Sequence, residues 1–113
     1  MPSQAITATV ASTPIVGTPP AKAAHIIVYV SAKTSGGITP HVQAQDPVSG
    51  SWYDILVGAD ITATGTTVLK IGQGITPASN VAVSDMLPDG FRVQLVADAG
   101  TVLTASVGAI LSF

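Results

Sequence analysis

Serine, histidine and aspartate are all present in this chain, but their spacing does not assemble a familiar catalytic motif. No Gly-x-Ser-x-Gly nucleophile elbow occurs. His25 and His41 are the only histidines, and with no cysteines they are too few for a zinc site, which needs at least three protein ligands. Gly72-Gln73-Gly74 lacks the third glycine of a phosphate-binding loop. The sequence therefore predicts a protein that is not an enzyme and that holds no metal or cofactor.

Three other side chains could bind a partner. Trp52 and Tyr53 are adjacent aromatics on a predicted strand, where they can anchor a core or an interface, or alternatively stack on a sugar ring. Because the chain has few aromatics, a core or interface role is favoured. Arg92, the only arginine, is predicted on the polar face of a strand beside Gln94. It could hydrogen-bond to a partner's carboxylate, and a solvated surface charge is the alternative.

The elements that must position these side chains are β-strands, because apolar residues recur at every second position along most of the chain. Turn signals rich in Gly, Pro and Asp, such as Asp46-Pro47-Val48-Ser49-Gly50, separate the runs, and no stretch shows a helical period. The pattern predicts an all-β fold, an antiparallel β-sandwich (Ig-like or jelly-roll-like) of about seven or eight strands, with a barrel as the alternative.

The predicted strands are His25–Ala32, Ile38–Gln45, Trp52–Val57, Thr66–Ile71, Val81–Asp85, Phe91–Ala97 and Leu103–Ser112. The first of them is expected to be buried on both faces, since apolar side chains point both ways. A short helical turn is considered near residues 77–80. The residues expected to be largely buried are Val28, Val42, Leu69, Val83, Val93, Leu95 and Val107.

The first 23 residues differ from the rest in their pattern of apolar residues and prolines. This difference predicts an extended N-terminal arm or edge strand ahead of a sandwich domain over residues 24–113. Three prolines between residues 12 and 20 exclude a central strand there. The segment is either a loop across the end of the sandwich or an arm that docks on a neighbouring subunit. On the second interpretation residues 24–113 fold without residues 1–20. The predicted partner contacts are Ile6, Val10, Ile15, Val16 and Arg92.

The surface of this chain must be unusually poor in charge. Charged residues make up 9% of the sequence, against about 25% in a typical soluble domain, while apolar residues make up 47%. A surface of Thr, Ser, Ala, Gly and aliphatic side chains is poorly protected against association. We therefore expect a protein that works bound to copies of itself or to a larger assembly.

Charge and hydropathy also exclude several classes of partner. A net charge of −2 with no basic cluster argues against nucleic-acid binding. No apolar run approaches the roughly 20 residues of a membrane span, and the N-terminus lacks the basic and continuously apolar regions of a secretion signal. The lack of cysteine fits synthesis in a reducing cytoplasm.

Several segments of this sequence resemble a family of small structural proteins of tailed bacteriophages. The likeness covers residues 24–112 and leaves the arm outside it. In that family Trp often stands at the position of Phe91, a change of volume that leaves the fold inference intact. The segments that carry the resemblance are Val28-Tyr29-Val30-Ser31-Ala32, Thr39–Leu56, Ile61–Thr66, Val83-Ser84-Asp85-Met86-Leu87-Pro88, Phe91-Arg92-Val93 and Ser106-Val107-Gly108-Ala109.

The resemblance implies a virion protein, made in the cytoplasm of a bacterial host, that decorates the capsid and contacts the major capsid protein or other virion proteins. It implies a homo-oligomer, with a trimer suited to local three-fold positions of an icosahedral shell. A position in the neck or tail fits the same motifs. The alternative from a different class is a surface module that recognises a glycan or protein through its loops and through Trp52 and Tyr53.

Overall fold

Two β-sheets pack against each other in this protein. The structure, a computed structural model, describes residues 1–15, 22–85, 87 and 90–112. These residues are all β, with no helix among them. Their strands are β1 (Gln4–Ile6), β2 (Val10–Ala11), β3 (Ala23–Ser35), β4 (Ile38–Gln45), β5 (Trp52–Val57), β6 (Gly65–Gly72), β7 (Ala82–Val83), β8 (Arg92–Ala97) and β9 (Val102–Ser112).

The strands divide into sheet A, in the order β1-β9-β3-β6-β7, and sheet B, in the order β2-β8-β4-β5. Neighbours pair antiparallel, except that β6 and β7 pair parallel over two residues. The chain passes repeatedly from one sheet to the other, so each layer is assembled from distant parts of the sequence. Within the described ranges, no helix is long and apolar enough to span a membrane.

The strands from β3 to β9 lie at or within a few residues of the positions that the alternation predicts, and β1 and β2 come from the segment predicted as an arm. The helical turn considered near residues 77–80 does not form. That stretch is a turn in which Asn80 adopts a φ of 61° and Ala78 bridges to Ala82. Asn tolerates this left-handed conformation better than most residues, and it lies outside the region that the interior of a right-handed helix uses.

The core lies between the two sheets and is made of the inward side chains of both. Six of the seven residues expected to be buried are at most 4% exposed, and Val83, on the short edge strand β7, is half-buried against the core. The six are Val28, Val42, Leu69, Val93, Leu95 and Val107. Period-2 alternation therefore identifies the inner face of each long strand.

The outer face of β3 does not meet the expectation of burial on both faces. His25 is exposed and Tyr29 is 47% exposed, whereas the alternating residues Ile26 and Val28 are fully buried. The reason is that the described residues place no further layer over sheet A. The apolar character of that outer face thus belongs to the surface of the molecule.

Residues 4–15 are built into both sheets. Gln4–Ile6 pair with β9, and Val10–Ala11 pair with β8 in the opposite sheet. The Ser12 amide then donates to Val93 O (2.8 Å), and the Ile15 amide donates to Phe91 O (2.7 Å). The segment crosses from one sheet to the other and closes one side of the sandwich.

The position of Ile6 corrects its prediction as a partner contact. Its side chain is fully buried and belongs to the core cluster, opposite Leu103 of β9. In a two-layer sandwich a side needs a cover over its core, and the aliphatic residues of the N-terminal segment supply it. Because of this burial, we expect residues 24–113 to lose stability when residues 1–20 are deleted, contrary to the expectation from the sequence.

Truncation of Ile6 tests this role of the N-terminal segment. We expect Ile6→Ala to lower the free energy of unfolding by about 2–5 kcal/mol, the usual cost of removing a fully buried Ile side chain. The matched control is Ile110→Ala on the outer face of sheet A, where Ile110 is 62% exposed, with an expected cost within about 0.5 kcal/mol. Urea unfolding of dilute protein measures both. Equal costs for the two variants would contradict the assignment.

Candidate functional site

A hydrogen-bonded cluster of polar side chains covers the outer face of sheet B. We call it the sheet B network, and it comprises His41, Gln43, Trp52, Asp54, Arg92 and Gln94. Gln43, on the central strand β4, is its centre: its Nε2 donates to Asp54 Oδ1 (3.0 Å) and to Gln94 Oε1 (3.2 Å). Its Oε1 accepts from Arg92 Nε (2.8 Å). The network therefore joins the three strands β4, β5 and β8.

Strand register brings these residues together. Gln43 lies opposite Asp54 on one side and opposite Arg92 on the other, while His41 lies opposite Gln94. Since all of these are outward positions of their strands, their side chains meet on the solvent side of the sheet. The sequence alone places Arg92 and Gln94 on one face, but it gives no register between strands.

An irregularity in β5 is needed for the network. The pairs Val42–Leu56 and Gln43–Asp54 flank a register shift, so Ile55 is an extra residue in β5. Strict alternation would put Asp54 and Leu56 on the same face. The bulge instead lets Asp54 point outward into the network while Leu56, 8% exposed, points into the core.

The turn before β5 fixes where the strand begins. Asp46 Oδ1 accepts from the Val48 amide (2.9 Å), and Asp46 Oδ2 accepts from the Ser49 hydroxyl (2.8 Å). Gly50, at a φ of 76°, donates its amide to Asp46 O (2.9 Å). The hydrogen bonds from Val48 and Ser49 stabilise the carboxylate and lower the pKa of Asp46. The turn holds Trp52 opposite Gln45.

Asp54 and His41 form the ionisable pair of the network. His41 Nδ1 lies 3.1 Å from Asp54 Oδ1, with His41 21% and Asp54 42% exposed. Partial burial on its own would raise the pKa of Asp54. The hydrogen bonds from Gln43 and His41, together with the charge of protonated His41, outweigh burial and lower the pKa.

Arg92 and Trp52 make the second contact of the network. The guanidinium carbon of Arg92 lies 4.3 Å from the centroid of the Trp52 ring, a cation–π geometry. One face of the indole is therefore occupied within the chain. Tyr53, 53% exposed, follows Trp52 directly in the strand and so points to the opposite side. The two rings do not form a common platform for a sugar.

The predicted partner contacts lie in different places. Arg92 is half-buried in the sheet B network, Ile6 is in the core, and Val10 and Ile15 are half-buried side chains packed against the core. Val16 lies outside the described residues. The network residues that the sequence analysis missed are His41, Gln43 and Asp54. Alternation along β4 marks His41 and Gln43 as solvent-facing, whereas Asp54 faces outward because of the bulge at Ile55. The register then brings the three side chains together.

The cluster contains a His–Asp pair, in which His41 Nδ1 faces Asp54 Oδ1. The residues directly opposite His41 in the sheet are Val57 and Gln94, neither of which carries a hydroxyl. Across the described ranges, no group of three or more His, Cys, Asp or Glu side chains could hold a metal ion. What the arrangement offers is a pre-ordered set of hydrogen-bonding groups on a rigid sheet.

A second polar feature lies at one end of the sandwich, where Asp60 and Asp98 share a hydrogen bond. This bond and the neighbouring negative charge raise the pKa of Asp98. Asp60 Oδ1 also accepts from Thr39 Oγ1 (3.3 Å). Both carboxylates are on exposed loops, and a pair of them does not complete a cation site.

Charges are distributed unequally between the two sheets. Lys33 and Lys70 are in strands of sheet A, and Lys22 directly precedes one of them. Among the described aspartates, Asp46, Asp54, Asp60 and Asp98 lie in sheet B or follow its strands, and only Asp85 follows a strand of sheet A. The strands of sheet A hold two lysines and no acidic residue, whereas the strands of sheet B hold Arg92 together with Asp54.

Comparison of the chain with protein-family models and with curated proteins found no match, and comparison with solved structures found none either.

Gln43 can be tested as the centre of the network. We expect Gln43→Ala to lower the free energy of unfolding by about 1–3 kcal/mol, because Asp54 and the half-buried Arg92 and Gln94 lose their common partner. Gln45→Ala is the matched control on the same strand, since Gln45 is exposed and its side-chain amide donates to the Gly50 carbonyl, outside the network. Its expected cost is within about 0.5 kcal/mol. Chemical denaturation of both variants measures the difference, and equal costs would contradict a central role.

Acid titration tests Asp54. A folded-state pKa below the unfolded value of 3.8 means that its contribution to stability is complete above the unfolded pKa and is lost as pH falls through the folded pKa. We expect the wild type to lose more free energy of unfolding than Asp54→Asn between about pH 5 and about pH 2. Since Asp46 is unchanged in both proteins, its own titration cancels. If the free energies of unfolding of the two proteins fell in parallel with pH, the hydrogen bonds and charge around Asp54 would not stabilise its carboxylate.

Proposed function

We propose that this chain is a non-enzymatic structural protein of a tailed-bacteriophage virion, where it decorates and stabilises the capsid through subunit contacts. The proposed partners are the major capsid protein or other virion proteins, together with further copies of the chain. Nucleic acid and membrane are not among them. The protein would be made in the host cytoplasm and would act on the capsid surface.

The observation that carries the proposal is the character of the surface. Ten charged side chains serve an exposed area of 5822 Å², while Tyr29, Val68 and Ile110 stand exposed on the outer face of sheet A. Such a surface favours stable association with other proteins over a free monomer in solution. In a symmetric particle, modest contacts of each copy are repeated many times, so small areas add up to a stabilised shell.

The finer class of the sandwich is also a proposal. We infer an Ig-like or jelly-roll-like arrangement, supported by the predominance of antiparallel pairs and by a chain that alternates between the layers. Such crossings are typical of Greek-key sandwiches. The resemblance of residues 24–112 to the phage family favours the same class.

A neck or tail position in the same virion is the alternative within this class. A glycan-binding surface module is the alternative outside it, and it is less favoured because Arg92 covers one face of Trp52 and Tyr53 points the other way. Copy number distinguishes a capsid position from a neck or tail position, since a capsid carries hundreds of equivalent sites and a neck or tail ring carries few.

Quantitative mass spectrometry of gradient-purified particles, from a lysate of the strain that encodes the chain, tests the proposal. We expect a copy number on the order of hundreds per particle, in line with capsid symmetry. About six or twelve copies would move the protein to the neck or tail. Particles that lack the chain would overturn the virion assignment. Purified tail-less capsids serve as the control that separates the two positions.

A further inference from the structure

We propose that two copies of this chain pair face to face through the outer surface of sheet A, around a two-fold axis that crosses β9 at Ala109. This surface, the sheet A face, is made of the outward residues of three adjacent strands, which are Ala23, His25, Ile27, Tyr29, Thr66, Val68, Lys70, Gly72, Ser106, Gly108, Ile110 and Ser112. The inference rests on the strand register and on side-chain sizes, and it does not depend on the proposed function.

The sheet A face exposes large apolar side chains, where an antiparallel sheet usually turns polar residues to water. Ile110 is 62% exposed, Tyr29 47% and Val68 36%. The face carries Lys70 and His25 but no acidic residue. On the opposite side of the molecule, by contrast, the polar groups of the sheet B network bind one another. Covering the outer face of sheet A therefore removes more apolar surface from water than covering the outer face of sheet B.

Gly108 marks a hollow in this face. It lies in the middle of β9 opposite Ile27, in a regular part of the ladder. A Cβ at this position would meet nothing within 4 Å, so packing within the chain does not require glycine. Glycine inside a strand weakens it and often marks close approach by another backbone or ligand.

The register makes the face self-complementary. The proposed two-fold axis lies midway between the two facing sheets, runs perpendicular to the strands and passes over Ala109 of β9. It places each strand antiparallel over the same strand of the second copy. A residue one position after Ala109 then faces the residue one position before Ala109 in the second copy. Ile110, the most exposed apolar side chain of the face, therefore lies over Gly108 of the second copy, and the second copy's Ile110 lies over Gly108 of the first. An isologous contact requires this reciprocity.

The neighbouring strands follow the same rule. On β3, paired with β9 through His25–Ile110 and Ile27–Gly108, the large Tyr29 comes opposite the small Ala23 of the second copy. On β6, paired with β3 through His25–Lys70 and Ile27–Val68, Lys70 comes opposite Val68. Its aliphatic stem can cover that valine while the ammonium reaches the rim.

Charge does not prevent this pairing. In the proposed register the backbones of the two Lys70 residues are about 12 Å apart, because the residues are offset by two positions in sheets about 10 Å apart. Lys70 lies on the outermost strand of the face, so its ammonium can reach water at the rim, where salt screens the repulsion. No unpaired acidic group is buried, since the face has none.

Area sets the expected strength. Three strands about 4.8 Å apart, over seven residues of about 3.3 Å each, give a patch of about 330 Å². A standard interface buries about 800 Å² on each partner, so we expect a weak dimer that forms between about 10 μM and about 1 mM.

Sedimentation equilibrium of the purified full chain tests the proposal. Over that concentration range we expect the mass to rise from 11.3 kDa toward twice this value. Ile110→Lys is expected to weaken dimerisation by about tenfold or more, because it places a charge in the hollow. Val48→Lys is the matched control, since Val48 is 93% exposed in the β4–β5 turn and outside the face, and it should dimerise as the wild type does.

Mixing two variants tests the register itself. Gly108→Asp alone should be monomeric, as Ile110→Lys is, but a mixture of the two should associate, because Lys at 110 of one copy then faces Asp at 108 of the other. Circular dichroism confirms that each variant is folded, and Ile110→Lys suffices if Gly108→Asp is not. A monomeric wild type at about 1 mM, a trimer, a dimer indifferent to Ile110→Lys, or a mixture that stays monomeric would overturn the proposal.

Discussion

Contact between the inner faces of the two sheets is the interaction on which the rest of this structure depends. The buried aliphatic side chains of both layers form one cluster, with Val28 and Leu69 from sheet A and Val42 and Leu95 from sheet B among its members. Each such side chain contributes about 1.5–3 kcal/mol when fully buried. Because both sheets pack against this layer, the positions of their outward side chains are fixed as well. The spacing of the side chains in the sheet B network and the pattern of large and small side chains on the sheet A face both follow from this packing.

The N-terminal segment shows how far that constraint extends. A stack of two sheets has open sides, and Ile6 fills one of them although it precedes the first long strand by many residues. Its neighbours pair with β9 and then with β8, so the segment fastens the two layers together at one edge. A residue that looks like part of a free arm in the sequence is thereby as much a part of the core as Ile26.

The sequence predicts well what depends on local alternation and poorly what depends on distant pairing. The strands β4 and β5 are predicted at their observed bounds, because their apolar positions and flanking turns are local signals. The sheet B network escapes prediction, since Gln43 and Asp54 meet only through the register of three strands and a bulge at Ile55 that strict alternation would forbid. The prediction that β3 is buried on both faces is wrong for a related reason. Ile27 and Tyr29 look buried by their chemistry, and nothing in the sequence tells whether a layer of the same chain covers them.

The strands of sheet A carry Lys33 and Lys70 and no acidic residue, so this side of the molecule is positively charged. Within a few Debye lengths, charge on one side turns a molecule before contact, so that its basic side leads toward an acidic surface. In the proposed dimer the two basic sides face each other and are covered. The pair would then carry two identical sheet B networks on its outer sides. Association would thus convert an oriented, univalent particle into a symmetric, bivalent one.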